Sequence, residues 1–231
     1  MSTGDGQKPR GRSLKQRVKS ASGRRISSAR WLERQLNDPY VSGARAEGWR
    51  SRAAYKLIQL DAKHHLLKPG GRVLDLGAAP GGWTQVAVQK VGPKGVVVGV
   101  DLQVMDPIAG ATLIQGDAND ADIVRRLRSE LGGPADAVIS DMANSATGHR
   151  ATDHIRTMML AEQGYNIAVQ FLAPGGSFVA KVLRGGAEDD LLTGLKRAFR
   201  KVIHVKPEAS RQDSREIYVV ALGFRGSPEE R

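Results

Sequence analysis

The segment Val96-Val97-Val98-Gly99-Val100-Asp101 is apolar at odd and even positions alike until its last residue. A strand with one wet face would alternate. This one suits burial on both faces, as in a parallel sheet with helices on each side. Strands are predicted at Arg72–Leu76, Gly95–Asp101, Ala111–Gln115, Ala135–Asp141 and Ser177–Leu183. Helical patterns fall between them, near Trp83–Lys90, Ala121–Leu131 and His154–Leu172. A further helix, Glu188–Phe199, precedes two last strands, Lys201–Lys206 and Glu216–Gly223. Ahead of the sheet, Ser51–Leu67 carries a helical apolar stripe that Lys68-Pro69-Gly70-Gly71 ends. The alternation predicts an α/β chain with a doubly wound, seven-stranded open sheet. The connection before Glu216 looks like a hairpin, so the last strand is expected to run antiparallel.

The 231 residues suffice for one such domain, assigned to residues 29–225, with a short tail at 226–231. Residues 1–28 are rich in Gly, Ser, Lys and Arg and hold a single acid, Asp5. They cannot bury enough surface to order themselves and are expected to form a flexible basic arm. An Arg- and Ser-rich, acid-poor leader is also what a transit peptide looks like. The formal charge of +11 points to a polyanionic partner, nucleic acid before an anionic membrane. A merely basic protein is the bland alternative. Cysteine is absent, which removes disulfides, thiolate zinc sites and a cysteine nucleophile. The five histidines include no pair at metal-ligand spacing, so no metal is expected. No apolar run approaches the ~20 residues of a membrane helix.

Chemistry-bearing residues gather where strands end. Asp75-Leu76-Gly77-Ala78-Ala79-Pro80-Gly81-Gly82-Trp83 lies at the first strand-to-helix turn. Glycine permits close backbone approach to a ligand there. Its spacing is not the Gly-x-Gly-x-x-Gly of a dinucleotide fold, and an acid sits inside the loop. Asp101 ends the second strand, where a carboxylate can accept both hydroxyls of a ribose. Asp117 follows the third, placed to meet an adenine amino group. Alone, either is an ordinary turn residue; after successive strands, the pair describes a nucleoside pocket. Asp141 ends the fourth strand. Lys181 lies in the apolar Phe178-Val179-Ala180-Lys181-Val182, where a charge needs a partner. If the last strand is antiparallel, Glu216 opens it at the same edge, and Lys56 on the preceding helix can reach over.

Asp75 to Trp83, Ser51-Arg52-Ala53-Ala54-Tyr55-Lys56-Leu57, Ser140-Asp141-Met142-Ala143, Pro174 to Lys181 and Ser214-Arg215-Glu216-Ile217-Tyr218 together resemble the FtsJ-like (RrmJ-type) ribose methyltransferases. The resemblance runs from about Ser28 to Gly223. It implies a Rossmann-like S-adenosylmethionine-dependent methyltransferase acting on a ribose 2′-hydroxyl. It implies a Lys-Asp-Lys-Glu catalytic set at Lys56, Asp141, Lys181 and Glu216. Cofactor contacts fall on Gly81, Trp83, Asp101, Asp117 and Asp141, with Asp75 and Gly77 in the same loop. The implied substrate is a uridine in the A loop of 23S ribosomal RNA within the large subunit, for a cytoplasmic enzyme expected to be monomeric and free of membrane. Asn144 departs from the pattern, which has proline after Asp-Met-Ala, and bears on substrate choice. Lys181 is expected to be the base or an oxygen-orienting cation. Rival readings are a non-catalytic RNA assembly factor, a nicotinamide oxidoreductase, and a methyltransferase of transfer RNA or an mRNA cap.

Overall fold

The computed structural model describes residues 36–144, 147–184 and 189–226. The arm expected at 1–28, the segment 29–35 and the tail beyond 226 lie outside the described residues. Helix α1 (Pro39–Glu47) starts on an Asp38 cap, whose carboxylate accepts from the Tyr40 amide, with Pro39 in the first turn. Helix α2 (Ala54–His64) is shorter than the Ser51–Leu67 pattern. His65 turns left-handed at φ 52°, and Asp61 Oδ1 accepts from the Leu67 amide at 2.9 Å, folding Leu66 and Leu67 back into the core. The apolar spacing carried through Leu67 while the helix did not.

Strands β1 (Arg72–Leu76), β2 (Val96–Asp101), β3 (Thr112–Gln115) and β4 (Ala135–Ser140) follow, with α3 (Gly82–Val91) and α4 (Ala121–Leu131) in the crossovers. Helix α5 (Arg150–Phe171) leads into β5 (Leu172–Leu183), and α6 (Asp189–Ala198) into β6 (Phe199–Val205) and β7 (Glu216–Phe224). Strand β5 begins five residues before the predicted Ser177. Leu172 pairs with Ala135, the register shifts across Pro174-Gly175-Gly176, and pairing resumes at Ser177. Pro and Gly weaken a strand interior, and here they mark an irregularity within β5.

Among the described residues the sheet has seven strands in the order β3-β2-β1-β4-β5-β7-β6. Strands β1 to β5 pair in parallel, and β7 is inserted antiparallel between β5 and β6. The expected antiparallel last strand is therefore what the fold contains. Each strand serves two cores. Leu74, Val98, Val138 and Phe178 face a layer with α4, α5 and α6; Val73, Val97, Ala137 and Val179 face one with α2 and α3. Neighbouring residues in a strand point to opposite sides, which is why the apolar runs have no polar phase.

Candidate active site

Register brings the four polar candidates together. Ser140 pairs with Ala180, so Asp141 and Lys181 leave adjacent strands side by side. Antiparallel β7 pairs Tyr218 with Lys181 and Glu216 with Leu183, which returns Glu216 to that same edge. Lys56, buried in the first turns of α2, reaches over it. The Lys181 ammonium donates to Asp141 Oδ1 at 3.0 Å and to its main-chain oxygen at 2.8 Å. Lys56 pairs with Glu216 Oε1 and donates to the Tyr218 hydroxyl at 3.1 Å.

Tyr218 joins the two ion pairs. Its hydroxyl lies 2.7 Å from Asp141 Oδ1 and 2.8 Å from Glu216 Oε1. One phenolic proton can serve only one carboxylate at a time. Burial, then the charges of Asp141 and Glu216, push this phenol well above its ordinary value, so it stays protonated. At Asp141, burial pushes the carboxyl up, but the charges of Lys56 and Lys181 and the Tyr218 and Lys181 hydrogen bonds outweigh it. The group is held below the usual carboxylate range. Each lysine thus lies against a carboxylate, Lys56 on Glu216 and Lys181 on Asp141, and pairing of this kind is the condition under which buried ions are tolerable. Tyr218 had no role in the sequence reading. The signal was there: two residues past Glu216 in a strand, it shares that residue's face.

A cavity of about 290 Å³ opens beside this cluster, lined among others by Gly77, Asp101, Asp117, Asp141, Asn144 and Gln163. Gly77 sits at φ 70°, and a Cβ there would fall 2.5 Å from Met142 Cγ, so only glycine lets the loop pass. Asp101 accepts the Ala79 amide at Oδ2 (2.9 Å) and the Gln103 amide at Oδ1 (2.8 Å). Each oxygen keeps a lone pair for a hydroxyl donor. Asp117 Oδ1 accepts from the Asn119 amide at 2.9 Å, leaving Oδ2 to accept from a ligand. Asn144 is exposed at the rim, its amide nitrogen 3.5 Å from the Arg156 carbonyl.

Three further residues of the expected cofactor set lie next to that cavity. Trp83 is buried behind the Lys56, Asp141, Lys181 and Glu216 cluster, its ring centroid 5.5 Å from that of Tyr218. Its indole nitrogen donates to the Ala53 carbonyl at 2.9 Å, fixing the entry to α2 and so Lys56. Gly81, at φ 108°, lets the loop pack against Ile108 and Arg50. Asp75 is fully buried, with Oδ2 accepting from the Thr84 hydroxyl at 2.6 Å. Burial drives its carboxyl up to about 7, against the Thr84 hydrogen bond and helped by the charges of Asp141 and Asp101. These three shape the turn beneath the cavity without lining it.

Residues 49–224 match the model of the family described as FtsJ-like methyltransferase. The chain is 57% identical over 98% of its length to the ribosomal RNA large subunit methyltransferase E of Paramagnetospirillum magneticum, covering 95% of that protein. It is 58% identical over 94% of its length to the protein of the same name from Granulibacter bethesdensis, covering 93% of it. A solved structure from Plasmodium falciparum, described as a candidate ribosomal RNA methyltransferase, superposes with a TM-score of 0.70 at 33% identity. That likeness covers 78% of this chain and all of the other.

Proposed function

Because the chain belongs to the FtsJ-like methyltransferase family, we propose that it methylates the ribose 2′-hydroxyl of a uridine in the A loop of 23S ribosomal RNA, using S-adenosylmethionine. One observation carries this reading. Lys56, Asp141, Lys181 and Glu216, far apart in sequence, meet through Tyr218 at the lip of a cavity that Asp141 itself lines. The names of the large-subunit relatives support a ribosomal RNA substrate.

The cavity suits the cofactor by its donor set. Asp101 has the free acceptor capacity for two ribose hydroxyls, and Asp117 for an exocyclic amine. Glycine at position 77 lets the loop lie against Met142 in the cavity wall, where the cofactor would sit. The bound sulfonium would supply an electrophilic methyl group. Holding nucleophile and methyl in line is worth roughly 7–11 kcal/mol. Asp141 lines the cavity and anchors Lys181; it would face the methyl group, and the Lys181 nitrogen would meet the 2′-oxygen. As base, Lys181 would have to be present as the free amine, and its lone pair would take the 2′-hydroxyl proton as the methyl passes from sulfur to that oxygen. As a cation it only orients the oxygen, because an ammonium has no lone pair. Lys56, tied to Glu216 and Tyr218, holds the sugar from the other side.

The test is radiolabelled methyl transfer to large subunits from cells lacking the gene, with the product mapped by the alkali resistance that 2′-O-methylation confers. Lys181→Ala is expected to abolish transfer while calorimetry still detects S-adenosylmethionine binding. A near-normal single-turnover rate in that variant overturns the assignment. A label on a base, or on transfer RNA alone, overturns the substrate. A first-order rise of rate with pH in single turnover marks Lys181 as base; a flat profile marks it as a fixed cation.

A further inference from the structure

Charge in the described residues is unevenly placed. Between 36 and 226, leaving out 145–146 and 185–188, 24 lysines and arginines stand against 19 acids. Five of those bases, Lys196, Arg197, Arg200, Lys201 and Lys206, lie between 191 and 207, a stretch without an acid. The remaining 19 bases match the 19 acids. The surplus of the described body is thus equal to the charge of one segment, the last turn of α6, strand β6 and the Lys206 that follows it.

That segment is the edge of the sheet. Strand β6 ends the strand order and pairs only with β7. Lys196, Arg197, Arg200 and Lys201 are exposed, and none enters an ion pair among the described residues. The positive field extends to the end of α2. Burial first, then Lys63, Lys201 and His65, lower the imidazole of His64. The direction of the strand matters as well. Strand β6 runs parallel to β4 and β5, and its last residue, Val205, pairs with Tyr218 of the catalytic cluster. Lys206 follows, donating to the carbonyls of Gln212 (3.1 Å) and Ser214 (2.7 Å) in the loop that delivers Glu216. The exposed cations therefore cluster at the start of an edge strand whose other end, about 20 Å away, adjoins the site.

We propose that the β6 edge, from Lys196 to Lys201, is a phosphate-contacting track that seats the RNA backbone on its way to the catalytic cluster. This rests on the reading of the chain as an RNA methyltransferase. Charge complementarity selects the partner: an acid-free row of exposed cations recognises polyphosphate by counterion release, independently of base sequence. Lysine on an edge strand also deters strand addition, and the experiment separates the two roles.

Two variants of the full chain, Lys196→Gln/Arg197→Gln and Arg200→Gln/Lys201→Gln, are titrated with large-subunit ribosomal RNA transcript at several salt concentrations. Arg125→Gln/Arg126→Gln on α4, exposed where acids balance bases, is the control. Each edge variant should lower the slope of log K against log salt by about one to two, at ~0.9 per phosphate contact. Each should raise KM for RNA severalfold, with kcat and S-adenosylmethionine affinity unchanged and the control at the wild-type slope. Unchanged slopes in both edge variants, or an equal fall in the control, overturn the track and leave the edge a guard against strand pairing. If the wild-type chain transfers no methyl to ribose, the functional reading fails, and the slopes still decide whether RNA lies on this edge.

Discussion

Two buried ionisable residues near the site are driven in the same direction by burial and do different work. Tyr218 is kept neutral, and as a neutral donor it links the carboxylates of Asp141 and Glu216 while accepting from Lys56. Tyr218→Phe removes that link and leaves buried acceptors short of a donor, a loss of about 1–3 kcal/mol. A lower melting temperature and roughly tenfold slower single-turnover transfer are expected, with cofactor affinity unchanged. Asp75 lies one layer deeper, its carboxyl raised to about 7, against ~3.9 in an unfolded chain. Between those values the folded chain holds a proton that the unfolded chain has released. Its contribution is complete below about pH 4 and is lost as pH rises through 7. Asp75→Asn keeps an acceptor for Thr84 and carries no such penalty. Denaturant melts at pH 5 and pH 8 should show the variant gaining on wild type at the higher pH by a few kcal/mol, because each tenfold difference in proton affinity is worth ~1.4 kcal/mol. A pH-independent difference would mean that Asp75 is ionised in the fold.

At the scale of elements, the site is an intersection of α2, β4, β5 and β7, and its accuracy depends on how α2 is seated. The indole of Trp83, at the start of α3, performs that seating through the Ala53 carbonyl. Trp83→Phe keeps most of the ring and deletes the donor. It is expected to lower kcat several-fold while calorimetry gives an unchanged Kd for S-adenosylmethionine. A cofactor affinity weakened tenfold would return Trp83 to the binding role that its place in the glycine-rich string suggested. A second tie lies on the other side of α2. Asp38 forms an ion pair with Arg52 at 2.9 Å and accepts from Arg211 at 3.4 Å, and Arg52 also donates to the Ala209 carbonyl at 2.5 Å. The start of α1 is thereby bound to the loop between β6 and β7, whose last residues precede Glu216.

For the whole molecule, the proposed RNA partner is a large polyanion, while the described residues carry only a modest surplus of positive charge. Lys8, Arg10, Arg12, Lys15, Arg17, Lys19, Arg24 and Arg25 belong to the N-terminal segment outside the described residues. Deleting residues 1–25 is expected to weaken RNA binding and flatten its salt dependence; an unchanged slope would remove the arm from the phosphate contacts. Much of the architecture was legible in the chain. Runs such as Val96–Val100 cannot be half-exposed, so parallel strands between helices followed from periodicity, and so did carboxylates at strand ends. The antiparallel β7 followed from connection length, and that predicted Glu216 beside Asp141 and Lys181. Boundaries were less legible: a side chain on the backbone, Asp61 to Leu67, ended α2 early, and a register shift carried β5 through Pro174-Gly175-Gly176. Sequence alone determined which residues had chemistry to offer, because residue type and strand position are local properties. Only the tertiary structure decided their division of labour. It set Trp83 behind the paired lysines and carboxylates, Asp75 beneath the cavity and Tyr218 between two ion pairs. Depth and cross-strand register arise from packing between segments remote in the chain, and no stretch of sequence encodes them by itself.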